Sequence, residues 1–193
     1  MSKSRRLNHQ RCWLSLASSE QGAVAVIAGI TLASLLGVAG IVYDLGRLVV
    51  VKSELQRAAD AAALAGARAL AAYSVPNTQL SPIYWANASP AAWSALRANL
   101  VDGAVITDAT VEVGYWNLDQ KIMQPSSINP TTKDVPAVRV TIRKAEGENG
   151  GPVRFAFGFI LGRESTTLEV QSLAALPGGP GGVSVGDCFP LAV

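Results

Sequence analysis

"EQGAVAVIAGITLASLLGVAGIVYDLGR", residues Glu20 to Arg47, decides the architecture, because no side chain between Glu20 and Asp44 carries a charge. Gly22 to Tyr43 is about 22 residues, or about 33 Å of helix at ~1.5 Å per residue, close to the ~30 Å hydrocarbon core of a bilayer. A core helix of a soluble domain keeps a polar face. Here only Thr31 and Ser34 are polar, and both can hydrogen-bond to their own helix backbone. One ionised side chain at mid-membrane costs about 2.5 kcal/mol or more, so the uninterrupted run predicts a transmembrane helix over 22–43. A secretory signal peptide is the competing reading, since Val38-Ala39-Gly40 loosely imitates a cleavage site. The run exceeds the usual apolar region of about 7–15 residues and has no helix breaker before that site, which favours a permanent anchor.

The flanks set the orientation. Lys3, Arg5, Arg6 and Arg11 stand before the run against Glu20 alone, whereas Asp44, Arg47, Lys52, Glu54, Arg57 and Asp60 behind it nearly cancel. The positive-inside rule keeps the basic tail, residues 1–21, in the cytoplasm and exports the rest. The net charge of +2, from 16 basic and 14 acidic residues, then reads as a topology signal. No nucleic-acid partner is expected.

The helix does not stop at the membrane. "DLGRLVVVKSELQRAADAAALAGARALAAY", residues 44–73, is built of strong helix formers, and no proline follows until Pro76. Leu45, Leu48, Leu55, Ala59, Ala62, Gly66 and Ala69 recur at steps of three, four or seven and form one apolar stripe. Residues 44–72 therefore read as an amphipathic extension of the same helix. Glu54 and Arg57 make a weak surface pair, and Asp44 and Arg47, also three apart and able to pair, are read as marking the outer membrane boundary.

Ala25, Gly29, Ala33 and Gly37 lie four apart, a ridge of small residues along which another helix could pack closely in lipid. Ala59, Ala63, Ala67 and Ala71 repeat the pattern in the outer half. Plain composition explains such rows equally well in so alanine-rich a segment.

The fold class expected is a membrane-anchored α+β protein: one long N-terminal helix, then a small β-rich exported domain over 73–175. Pro76, Pro82 and Pro90 punctuate a loop carrying Tyr73, Tyr84, Trp85 and Trp93, and Ser89-Pro90 reads as the cap and first position of a short helix to about Leu100. Val111, Val113 and Tyr115 alternate with Glu112 and Gly114, as Val138, Val140 and Ile142 do with Arg139, Thr141 and Arg143, which argues for half-buried strands. "VRFAFGFILG", from Val153, is a buried strand or a short helix. "TTLEVQSLAAL" supplies a last strand from about Ser165 to Ala174. Residues 176–193 are rich in glycine and proline and read as a flexible tail, or equally as a linker into a further piece.

Chemistry is sparse. The one histidine, His9, lies in the basic tail, so a histidine-based triad or metal site lacks its usual parts. No phosphate loop of the G-x-x-x-x-G-K-[ST] kind occurs, and "GGPGG" lacks the strand, helix and lysine that such a loop needs. Asp44 and Asp60 are over ~20 Å apart along one helix and make no catalytic pair. Cys12 and Cys188 fall on opposite sides of the membrane, so they do not join within one chain. Asn87-Ala88-Ser89 matches a glycosylation sequon, with Pro90 behind it disfavouring use. Trp85, Trp93 and Trp116 would line a pocket in a membrane-anchored sensor or binding module; core packing or headgroup contact is the simpler account. No enzyme, cofactor or metal is expected.

The segment "QGAVAVIAGITLASLLGVAGIVYDLGRLVVVKSELQRAADAAALAGA", with its Asp-x-Gly-Arg, lysine and "LQRAADAAALAGA", resembles the N-terminal signature of the TadE/TadG-like proteins of the bacterial Flp, or tight-adherence, pilus system. "VEVGYWN", "VPAVRVTIRK" and "TTLEVQSLAAL" are similar to strand segments of the TadG-type subgroup. The resemblance implies a pilus-assembly component in the bacterial inner membrane with an exported domain. Its implied partners are that membrane and other pilus-assembly membrane proteins, with a homo-oligomer also open. Subunits cut by the prepilin peptidase carry a glutamate five residues after the cut glycine. Counting from Gly22 the fifth residue is Ile27, so the resemblance points to an uncut anchor of the TadG type. No D-x-S-x-S metal motif of a von Willebrand A-type domain is present.

Overall fold

A single helix organises everything else. In the computed structural model, which describes residues 20–71, 82–176 and 189–191, helix α1 (Glu20–Ala71) is unbroken over 52 residues, about 78 Å at ~1.5 Å per residue. The basic tail with His9 and Cys12, the loop around Pro76, and Cys188 lie outside the described residues. Within the apolar half, the Thr31 and Ser34 hydroxyls donate to the carbonyls of Ile27 and Ile30, both at 2.8 Å, so neither presents a free donor at the helix surface. Val26, Ile27, Leu35 and Val42 are each more than 60% exposed, at 63, 65, 63 and 63%. This is the one helix among the described residues long and apolar enough to cross a membrane.

The outer half of α1 is buried by the rest of the chain. Helix α2 (Pro82–Arg97) and a five-stranded antiparallel sheet, ordered β4-β3-β5-β8-β9, pack against it. The strands are β3 (Thr110–Asn117), β4 (Ile122–Pro125), β5 (Asp134–Lys144), β8 (Leu168–Ala175) and β9 (Phe189–Leu191). Two small hairpins complete the architecture: β1 (Leu100–Val101) with β2 (Ala104–Val105), and β6 (Val153–Arg154) with β7 (Ser165–Thr166).

Alternation assigns the sheet faces. Tyr115, Val138, Val140, Ile142, Val170 and Ala174 point into the core shared with Val51, Leu55 and Leu70 of α1. Their neighbours Trp116, Val135, Ala137, Leu173 and Ala175 form a second cluster on the other face. Further along that face, cross-strand partners Glu112 and Arg139 pair, as do Arg143 and Glu169.

The second small-residue row is where the layers meet. Ala59, Ala63 and Ala67 are fully buried, and α2 answers with Ala88 and Ala92, also fully buried. At Gly66 a Cβ would stand 3.0 Å from Val138 Cγ1 and 3.2 Å from the Ala88 carbonyl. Small side chains thus let α1, α2 and the central strand approach closely within one chain.

Three expectations are corrected and one is refined. Helix α2 does not begin at Ser89-Pro90 but at Pro82, where a missing N–H costs nothing, and it runs through Pro90. An interior proline costs about 3 kcal/mol. Here its ring faces solvent, while Trp85, Ala88, Ala92 and Leu96 bury the opposite side of the helix. The segment from Ser165 to Ala174 is two strands, β7 and β8. The tail from 176 contributes β9, which pairs Leu191, Pro190 and Phe189 with Leu173, Ala174 and Ala175 and so covers part of the β8 edge. Proline is tolerated there because an edge strand has a side that needs no donor. "VRFAFGFILG", expected as a buried strand or a short helix, contains a little of each: the two-residue strand β6 and then a short 3-10 helix, Gly158–Leu161.

Asp134 pins the β3–β5 end of the sheet. Its buried carboxylate accepts from the Thr131 hydroxyl at 2.6 Å, the Thr131 N–H at 2.8 Å and Asn117 Nδ2 at 2.7 Å. Hydrogen bonds from the Thr131 hydroxyl, the Thr131 N–H and Asn117 hold its pKa below the ordinary carboxylate value, against burial. Burial first, then the charge of Asp134, raises that of Tyr115.

Gly66→Leu is expected to overpack the three-way contact and lower stability by about 1–3 kcal/mol, read as a drop in Tm in detergent. The Asp134 contribution is fully present above the ordinary carboxylate range and is lost as pH falls through the depressed folded-state value. The stability difference between wild type and Asp134→Asn, from urea midpoints, is therefore expected to be largest near neutral pH and to shrink in acid.

Candidate functional site at the helix–domain junction

Where α1 leaves its apolar run, the domain closes on it. Gly37, Gly40, Asp44, Arg47 and Val51 are spaced three or four apart and share one helix face. The β6–β7 hairpin, in register Val153↔Thr166 and Arg154↔Ser165, reaches this face with its tip, Phe155 to Glu164. Its neck is closed by the Phe155 N–H donating to the Glu164 carbonyl at 2.8 Å, and its 3-10 turn by the Arg163 N–H donating to the Gly158 carbonyl at 3.0 Å. Gly162 ends the turn at φ 68°, and a Cβ at Gly158 would collide with the Arg163 carbonyl.

Asp44 holds this tip. It is only 6% exposed, and its two carboxylate oxygens accept the N–H groups of Ala156 and Phe157, each at 2.8 Å. Phe157 lies on Gly40, where a Cβ would stand 2.5 Å from its ring, and meets Tyr43 edge-on at 6.4 Å between centroids. Only glycine leaves room for that ring.

One turn on, Arg47 makes a second clamp. Nη1 donates to the Arg154 carbonyl at 3.0 Å, and Nη2 pairs with Asp102 at 3.2 Å. Asp102 and Gly103 form the two-residue turn of the β1–β2 hairpin, at φ 52° and 76°, the left-handed values that a type I′ turn demands. The Asp102 N–H donates to Glu54 at 2.8 Å, and Lys144 Nζ stands 3.7 Å from its carboxylate. Lys144 is itself buried and donates to the Asn149 carbonyl at 2.9 Å. Asn149 accepts from the N–H groups of Thr107 and Asp108 and donates to the carbonyls of Asp108 and Arg143, so its side chain ties the loop before β3 to the end of β5.

Asp44 and Arg47 therefore do not pair with each other, as their spacing suggested; both reach across to the domain. Glu54 and Arg57 part in the same way, Glu54 to Asp102 and Arg57 Nε to its own helix at the Ser53 carbonyl. A carboxylate facing two backbone N–H groups in a buried niche gains more than one facing an exposed guanidinium a turn away.

The remaining candidates are dispersed. Ala25, Gly29 and Ala33 are exposed and Gly37 half-buried, and a Cβ at Gly29 or Gly37 meets nothing within 4 Å. The tryptophans share no pocket. Trp85 stacks edge-on with Tyr115 at 5.1 Å in the main core, Trp93 lies under Arg97, and Trp116 sits on the far face of the sheet. A shallow hollow lined by Asp108, Thr110, Thr141, Arg143 and Glu148 includes none of them. Among the described residues no group of three or more His, Cys, Asp or Glu could hold a metal ion. The junction can couple the helix to the domain mechanically, and it presents no nucleophile with a base.

The clamp partners of Asp44 and Arg47 escaped sequence reasoning. The available signal was "RFAFGFILGR", an apolar stretch too short to span a membrane and bracketed by Arg154 and Arg163, together with a glycine at 40 and Asp102-Gly103 as a hairpin turn.

Two family models match the chain. One, described as Flp pilus-assembly TadE/G-like, covers residues 22–69; the other, described as Tad-like Flp pilus-assembly, covers residues 50–174. No curated protein and no solved structure matches.

Asp44→Ala would leave two N–H groups without their acceptor, at about 1–3 kcal/mol for each that stays buried. Amide hydrogen exchange at Ala156 and Phe157 is expected to quicken markedly. Arg47→Ala breaks a pair that is 40% and 27% exposed and is expected to cost under about 1 kcal/mol, with those two amides little changed.

Proposed function

The chain belongs to the Tad-like Flp pilus-assembly family, and on that premise we propose that it is a non-enzymatic, membrane-anchored assembly component whose domain is held rigidly to its anchor. The observation that carries this reading is the junction: one unbroken helix carries both the exposed apolar half and the half buried by the domain, clamped at Asp44 and Arg47 where the two meet. A flexible tether would need none of these bonds. A force or contact at the domain is transmitted to the membrane helix, which suits a part that aligns other subunits.

In this reading α1 spans the bacterial inner membrane with the basic tail inside, in keeping with the positive-inside rule, and residues beyond Asp44 are exported. Asp44 and Arg47 sit at the outer boundary as well as clamping the domain. Partners are other pilus-assembly membrane proteins or a second copy, and they approach along Ala25, Gly29 and Ala33. The row Ala59, Ala63 and Ala67 supports that role, because the same four-step pattern on the same helix already serves close packing. Gly37 is the least available member, being half-buried.

Reporter fusions after Asn8 and after Gly150 are expected to read cytoplasmic and exported; the opposite pattern would overturn the topology. Gly29→Ile with Ala33→Ile is expected to leave protein level and Tm unchanged, while abolishing cross-links to membrane partners and reducing pilus output at least several-fold. Persistence of both would restrict the anchor to tethering and move the assembly contacts to the domain.

A further inference from the structure

We infer that the tip of the β6–β7 hairpin, Phe155 to Gly162, is embedded in the lipid leaflet on the domain side, so that the domain rests on the membrane by a second, non-helical contact. This builds on the reading of α1 as a membrane span. Depth is the first argument. Phe157 packs on Gly40, one turn or about 6 Å along the helix toward the apolar run from Asp44. A bilayer core beginning near Gly22 reaches about 20 residues along the helix, so Gly40 lies at its outer edge. The tip is level with lipid, not with water.

Its surface fits that level. Phe159 is 67% exposed and Phe157 39%, next to Tyr43 at 60%, Val42 at 63% and Val38 at 61% on α1. The exposed apolar surface of helix and tip is continuous through the Phe157–Tyr43 contact. Arg154 and Arg163, both exposed, bracket the tip where headgroup phosphates would stand, with Glu164 the one acid in the hairpin. Basic side chains flanking a short apolar element are suited to an interface with anionic lipid.

Part of the tip's backbone is prepared for the same solvent. Irregular backbone at membrane depth must bring its own hydrogen bonds. Here the N–H groups of Ala156 and Phe157 are taken by Asp44, those of Gly162 and Arg163 by the carbonyls of Phe159 and Gly158, and that of Phe155 by Glu164.

The test uses the full chain with Cys12→Ser and Cys188→Ser, reconstituted in phosphatidylethanolamine–phosphatidylglycerol vesicles. A nitroxide is placed in turn at Phe159→Cys, Arg163→Cys, Leu35→Cys and Gln120→Cys. Accessibility to oxygen and to a water-soluble nickel chelate is then measured, and an unchanged Tm shows that each variant folds. Positions 159 and 35 are expected to be open to oxygen and several-fold less open to nickel than position 120, with 163 in between. Nickel access at 159 equal to that at 120, with 35 protected, would overturn the inference and leave the anchor standing. Nickel access at 35 would overturn the anchor and the inference together. Protection of 159 from both reagents would mean that protein, such as a second copy, covers the tip, and would overturn the lipid contact.

Discussion

One helix carries two different surfaces without a break. Along its first half the side chains face outward and are apolar, and along its second half they are packed under α2 and the sheet. A helix satisfies its backbone internally wherever it goes, so the change of surroundings falls entirely on side chains and on whatever meets them at the crossing. Everything else in the molecule is arranged around that crossing.

At the crossing, two polar residues carry unequal weight. Asp44 is buried and bonded to two amides, so its loss takes the acceptor from both. Arg47 is partly exposed and shares Asp102 with Lys144, so solvent screens it. Gly40 belongs with Asp44: a missing side chain admits the ring of Phe157, and the carboxylate four residues on fixes the backbone that carries it. The Asp-x-Gly-Arg segment is thus a docking device for a distant hairpin, 107 residues further along the chain at Arg154.

Family membership and geometry speak to the same organisation from different sides. One matched region covers the helix, and the other runs from its outer half through the sheet, overlapping where helix and domain share a core. That overlap is also where small residues crowd. Alanines and Gly66 bring α1 close to α2 and β5, which makes the outer half of the helix a structural part of the domain.

Much of this was legible in the residues themselves. The uncharged run from Gly22, the proline-free stretch to Ala71 and the period-two valines of β3 and β5 each state their element locally, because helix and strand periods are properties of neighbouring residues. The start of α2 was not legible: Pro90 looks like a first helical position, and only burial of Trp85, Ala88 and Ala92 against α1 extends the helix back to Pro82. The Phe-rich segment was ambiguous for the same reason, since its apolar side chains are equally compatible with a core strand and with an exposed turn. Spacing paired Asp44 with Arg47 and Glu54 with Arg57, and tertiary contact gave Asp44, Arg47 and Glu54 distant partners instead. By itself, then, the sequence determined the main elements and the apolar or polar character of their surfaces, through composition and periodicity. Which polar group meets which amide was decided by the tertiary structure alone, because a hydrogen bond between residues more than a hundred positions apart leaves no periodic trace in either segment.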